Sequence, residues 1–136
     1  VLIFRVENAD GKGPYHTVIT CHPGAPNHLT PTEDQDIGGA WGALWRAGNG
    51  EDYFFGFTAM SELLAWFHAP DWLRYAHKHG MAIHVYEIDG DAPNPSLPEY
   101  KCAYVGATQA IFRRDCAKRL YSIPLQSIIR EPSCNP

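Results

Sequence analysis

The sequence predicts an α+β fold, a mostly antiparallel sheet with two central helices. Three observations predict it. Tyr53-Phe54-Phe55-Gly56-Phe57 is too aromatic for a loop and reads as a strand, and it runs straight into Met60, Leu63, Leu64 and Phe67, spaced at i, i+3, i+4 and i+7 as one helix face requires. A second short helical pattern follows at once, and strand patterns lie before and after the pair. Two helices grouped mid-chain cannot supply the crossovers that a parallel sheet needs between successive strands.

The elements follow in order. Leu2 to Glu7 reads as a first strand, ended by Asn8-Ala9-Asp10-Gly11-Lys12-Gly13-Pro14, where Asp10-Gly11 and Gly13-Pro14 are strong breakers. A weaker strand fits 15–21. Residues 22–50, rich in Pro, Gly, Asn, Asp and Thr, read as a long loop, and loops beyond about 12–15 residues in compact domains are usually functional. Within it, Ile37-Gly38-Gly39-Ala40-Trp41-Gly42-Ala43-Leu44-Trp45 sets two tryptophans among glycines, as in a segment packed on the domain or a binding lid. After the strand at 53–57, Thr58 is the natural N-cap of the first helix. Ala69-Pro70 ends that helix, 71–79 forms the next, and Gly80 stops it. Residues 81–88 alternate Met81, Ile83 and Val85 against His84, Tyr86 and Ile88. The Pro-rich stretch at 89–100 is a second long loop, and strands follow at 101–105, 109–113 and 119–124, with a helical turn near 115–118.

Composition bounds the rest. The 136 residues, 45% apolar, suffice for one ordinary core, so a single domain over 1–136 is expected. Eleven Lys and Arg against fifteen Asp and Glu give a formal charge of −4, which argues against unspecific binding of nucleic acid or anionic lipid and leaves protein partners open. No apolar run is long enough for a membrane span, and Val1-Leu2-Ile3-Phe4 is interrupted at once by Arg5 and Glu7, so neither a span nor a signal peptide fits. A soluble cytoplasmic protein is the expectation. Cys21, Cys102, Cys116 and Cys134 form no CxxC pair and are expected as reduced thiols.

The common nucleotide and hydrolase signatures are missing: Gly38-Gly39 with Gly42 is no GxGxxG, and there is no GxxxxGK[ST], GxSxG or HExxH. His16, Cys21, His22 and His28 are a loose group of soft ligands, but adjacent Cys21 and His22 cannot easily face one ion, so no metal site is assigned. Cys116, beside Arg113, Arg114 and Lys118, and Cys21 are nucleophile candidates without an identifiable base. Arg113-Arg114 with Lys118-Arg119 is a basic cluster, read as solvated charge.

Arg5 on the first strand, Phe57-Thr58 before a helix, and Gln109 opening a late strand that continues Ala110-Ile111-Phe112 resemble the layout of small ADP-ribosyltransferase-like domains. That resemblance implies bound NAD, with Arg5, Phe57 and Thr58 holding the cofactor and Arg5, Thr58 and Gln109 in the catalytic positions. The family has Glu where this chain has Gln109, and an amide cannot supply the negative charge that stabilises a cationic ribosyl centre. Glu99 and Glu87 are the substitutes considered.

The opening Phe4-Arg5-Val6-Glu7-Asn8-Ala9-Asp10-Gly11-Lys12-Gly13-Pro14-Tyr15, the middle Phe55-Gly56-Phe57 with Leu63-Leu64-Ala65-Trp66-Phe67, and the closing Gln109-Ala110-Ile111-Phe112 resemble small proteins of bacterial viruses and prophages. This implies a role in binding a host protein, as anti-CRISPR and other anti-defence proteins do. Trp41 and Trp45 are the expected partner-binding residues, because exposed tryptophans anchor interfaces, whereas Trp66 and Trp72 sit beside apolar helix neighbours and belong to the core. Host-protein binding is the leading expectation and NAD-dependent ADP-ribosyl transfer the alternative.

Overall fold

Alternating apolar residues build six strands: β1 (Leu2–Glu7), β2 (Tyr53–Phe57), β3 (Ala82–Glu87), β4 (Ala103–Val105), β5 (Gln109–Arg113) and β6 (Lys118–Pro124). They form one sheet in the order β4-β5-β2-β1-β3-β6, with every neighbouring pair antiparallel. The computed structural model describes residues 1–13, 34–89 and 101–129. The weak strand at 15–21, the histidine and cysteine group at 16–28, the first part of the 22–50 loop and residues 90–100 lie outside the described residues.

Register sorts the side chains into two faces, since residues paired across antiparallel strands point the same way. Phe4 pairs with Phe57 and Val85, Val6 with Ile83, and Phe55 with Ile111. This face is covered by helices. Phe4, Val6, Ile83 and Val85 pack with Leu63, Phe67, Trp72 and Leu73 in one cluster, while Ile37, Leu44, Tyr53 and Ile111 form a second. On the opposite face Ile3, Tyr86, Ala110 and Phe112 pack together, joined by Phe54. The predicted alternation of Met81, Ile83 and Val85 against Tyr86 and Ile88 is realised, because these two sets fall in different clusters.

Three α-helices lie among the described residues: α1 (Gly38–Arg46), α2 (Met60–Trp66) and α3 (Pro70–Lys78). Two were expected. The second half of the predicted 22–50 loop forms α1, because Ile37, Trp41, Leu44 and Trp45 recur at i, i+4, i+7 and i+8 and give even a glycine-rich segment an apolar stripe. Pro70 occupies the first turn of α3, where its missing N–H costs nothing, and Gly80 follows the helix at φ +83°, a backbone region that other residues rarely adopt.

Thr58 does not cap α2. Ala59 holds the N-cap position, with no side-chain hydrogen bond, while the Thr58 hydroxyl donates to the Ala107 carbonyl at 2.9 Å and its N–H to Thr108 O at 3.0 Å. Thr58 therefore ties the end of β2 to the turn before β5. The late strands differ slightly from expectation: β4 is shorter, β6 begins at Lys118, and the helical turn spans Arg114–Cys116.

Two of the four cysteines are not free thiols. Cys102 and Cys116 are joined as a disulfide, with Cα atoms 5.8 Å apart, linking the chain just before β4 to the turn before β6. Fourteen residues apart in sequence, they meet because β4 and β5 pair as a hairpin that brings the turn after β5 back beside Cys102. Cys116 thus offers no nucleophilic thiol, which removes it as a catalytic candidate.

Candidate functional site

The seam between β1 and β2 is where the candidate site forms. Among the described residues these strands share a single register pair, Phe4 with Phe57, whereas β1 pairs with β3 along its whole length. The contact is tight at Gly56, where a Cβ would stand 2.2 Å from Ile3 Cγ2, and the strands part beyond it. The Phe55 carbonyl is satisfied there by a side chain, as Arg5 Nη1 donates to it at 2.8 Å.

Arg5 is fixed from below by a buried carboxylate. Glu7 is 0% exposed; its Oε2 accepts from Arg5 Nε at 2.8 Å and Arg114 Nη2 at 2.8 Å, and its Oε1 accepts from Arg114 Nη1 at 3.1 Å and from the Tyr86 hydroxyl, with His84 Nδ1 2.6 Å from the same Oε1. Arg114 further donates to Tyr86 Oη at 2.5 Å and Gly11 O at 2.8 Å, and it lies over the Phe54 ring. Burial alone would raise the Glu7 pKa, but the hydrogen bonds from Arg114, Tyr86 and His84 and the charge of Arg5 outweigh it and hold the carboxyl down at about 2. The same burial, with the bond to Glu7, pushes Tyr86 up to about 12. For Arg5, burial dominates and lowers the pKa despite Glu7; for Arg114, burial is outweighed by Glu7 and the pKa rises. Two guanidiniums around one carboxylate leave a local excess of positive charge under the seam.

Above Arg5 opens a cavity of about 820 Å³, lined by Arg5, Trp41, Trp45, Phe55, Phe57 and Gln109 among others. Five of the six residues singled out from the sequence therefore share one cleft. Thr58 does not line it. Trp41 packs against Phe55 with centroids 4.3 Å apart and planes inclined at 60°, and it meets Trp45 edge-on at 5.5 Å. Trp45 is 48% exposed, as expected, whereas Trp41 is half-buried between Phe55 and Trp45. Trp45 also closes over Gly50, where a Cβ would stand 2.2 Å from the indole, so the turn after α1 fixes the ring.

Gln109 is buried, and its Nε2 lies 3.4 Å from Asp34 Oδ2. Asp34 is the carboxylate beside Gln109, a position the sequence could not single out. Glu87 is not near it: Glu87 pairs with Lys118 on β6, beyond β1 and β3. Glu99 lies outside the described residues. The basic cluster also divides, since Arg114 turns inward to Glu7 while Arg113 makes a two-pronged pair with Asp115 at 2.8 and 2.7 Å. Among the described residues no group of three metal-ligating side chains occurs, and no helix is long and apolar enough to cross a membrane.

Comparison with known proteins decides the family. A model described as the bacteriophage T4 Y00F protein matches residues 1–126, which include all six strands and the cleft. The chain belongs to that family. Membership of the Y00F family bears out the resemblance to small phage proteins, while the ADP-ribosyltransferase likeness finds no support. No curated protein and no solved structure matches the chain.

Proposed function

We propose that this Y00F-family protein acts by binding a host protein, as an anti-defence inhibitor of the anti-CRISPR kind, with Trp41 and Trp45 at the contact. The observation that carries the reading is the exposure of Trp45, held edge-on by Trp41 at the mouth of an aromatic cleft. A large ring fixed in place loses little entropy on binding, which is what makes tryptophan an interface anchor. The test is affinity capture from host lysate with the wild-type chain and Trp45→Ala. A host protein retained in stoichiometric amount by the wild type and lost by the variant supports the proposal; retention unaffected by Trp45→Ala, or no retained protein, refutes it.

A second reading rests on Arg5, Phe57 and Gln109 lining the same cleft. In it NAD occupies the cleft, Arg5 faces its phosphates, Thr58 supports the strand end, and Gln109 with Asp34 takes the place of the usual glutamate. Calorimetric titration with NAD decides it: saturable heat that disappears in Arg5→Ala supports a nucleotide site, and no heat at millimolar NAD removes the transferase reading.

A further inference from the structure

Arg5 keeps an unused donor group at the cleft. Its Nε is taken by Glu7 and its Nη1 by the Phe55 carbonyl, both at 2.8 Å, and these bonds hold the guanidinium at the seam. Among the described residues Nη2 has no acceptor, although the side chain is only 11% exposed and lines the cavity. A guanidinium donates through all three nitrogens, so the Nη2 hydrogens are left for a ligand. Gly13 keeps the space beside that nitrogen clear: a Cβ there would stand 3.0 Å from Nη2, and the nearest backbone atom, Val6 O, is 3.8 Å away.

The rest of the lining is mainly aromatic and comes from both sides of β2. Trp41 and Trp45 stand on α1, Trp66 ends α2, and Phe55 and Phe57 lie on the strand between them. Lys12 and Glu51 also line the cavity and offset each other in charge. A cavity of about 820 Å³ with large apolar walls and one fixed cation has the size and make-up of a small-molecule site. Charge and donor count narrow the ligand. Arg5 and Arg114 around Glu7 leave a single excess positive charge, which a monocarboxylate neutralises, whereas a pyrophosphate brings more charge and more oxygens than one nitrogen can satisfy.

We propose that the cleft binds a small aromatic monocarboxylic acid, its carboxylate on Arg5 Nη2 and its ring among Trp41, Trp45, Phe55 and Phe57. The charge-assisted hydrogen bond selects the acid group and the indole and phenyl walls select the ring. Such a ligand is neither NAD nor a host protein, and its binding requires only the open cleft.

The test is a heteronuclear NMR titration of the isotope-labelled full chain with indole-3-acetate, indole-3-acetamide and acetate. Indole-3-acetate is expected to shift the Trp41 and Trp45 indole N–H and Arg5 Nε–H signals saturably, with a Kd of about 1 mM or below for a ligand of its size. The amide, which keeps the ring and loses the charge, and acetate, which keeps the charge and loses the ring, should each bind about tenfold more weakly or worse. Gly13→Asp sets a carboxylate of the chain itself beside Nη2 and should weaken indole-3-acetate to the level of the amide; the acid-to-amide comparison uses wild type alone and stands whether or not this variant folds. No saturable shift up to about 10 mM acid, an amide that binds as well as the acid, or a folded Gly13→Asp that binds the acid as tightly as wild type would each overturn the proposal. Capture of a host protein through Trp45 is read separately, so failure of either result leaves the other intact.

Discussion

Replacing Glu7 by Gln tests the physical core of the site, since it changes one charge and almost no volume. The carboxylate faces two guanidiniums, the Tyr86 hydroxyl and the His84 ring. An amide presents an NH2 to at least one of these donors and leaves Arg5 and Arg114 repelling each other. Removing one partner of a buried ion pair costs about 3–5 kcal/mol, because the remaining charge is stranded in a poor solvent. Arg5 is 11% exposed, but Arg114 is 32% exposed and keeps part of its hydration. The expected loss is therefore at the low end, about 3 kcal/mol at pH 7. For a chain of this length that is a fall in melting temperature on the order of 10 °C. The assay is urea unfolding of wild type and Glu7→Gln between pH 7 and pH 2.5. Glu7 has its pKa depressed in the folded protein, so its contribution is complete above the unfolded value of 4.5 and is lost as pH falls toward about 2. The gap between wild type and variant should hold above pH 5 and shrink steadily below it. A variant within 0.5 kcal/mol of wild type at pH 7, a range typical of surface changes, or a gap that does not narrow with acid, would refute the account.

Three further outcomes follow from the packing. Gly56→Ala is expected to destabilise by about 2 kcal/mol or more, because the added carbon overlaps Ile3 Cγ2 and presses on the Phe4 carbonyl at 3.2 Å; urea unfolding with no loss would mean that the seam is loose at that point. Reducing the Cys102–Cys116 bridge should cost about 3 kcal/mol, appropriate to a closed loop of this size, and mass spectrometry after alkylation should find both sulfurs blocked before reduction and both modified after it. Ala59→Ser should stabilise the protein by about 1 kcal/mol by supplying the missing cap of α2, while Thr58→Val should cost about as much by orphaning its link to Ala107. If Thr58→Val instead lowers helix content and Ala59→Ser does nothing, the cap is Thr58 after all.

What could be read from the sequence was what is locally determined. The bounds of β1, β2 and β5 coincide with expectation because each carries a short run of β-branched or aromatic residues. Helix α1 was hidden because Gly38, Gly39 and Gly42 lower helix propensity, although the Trp41 and Leu44 spacing held the signal. Thr58 has the right chemistry for a cap, but the nearby Ala107 carbonyl, supplied by the turn before β5, captures its hydroxyl. For the site, Arg5 and Glu7 lie two apart on one strand, and their pairing was foreseeable. His84 and Arg114 reach Glu7 from 77 and 107 residues away, and no local pattern announces contacts that only strand order creates. The convergence of Arg5, Phe57, Trp41, Trp45 and Gln109 is likewise a product of β5, β2 and β1 lying side by side.

The narrow join between β1 and β2 divides the sheet into two three-stranded halves, with α1 over the β4-β5-β2 half, α3 over the β1-β3-β6 half, and α2 across the join, where Phe57 of β2 and Phe4 of β1 share one cluster with Leu63 and Phe67. On the opposite face Ile3, Phe54 and Phe112 and the Arg114 to Glu7 link also cross the join. Amide exchange should accordingly resolve two cooperative blocks rather than one, with the boundary falling at the Phe4 to Phe57 pair. Acid or the Glu7→Gln change would then widen the separation between their opening free energies before either block melts.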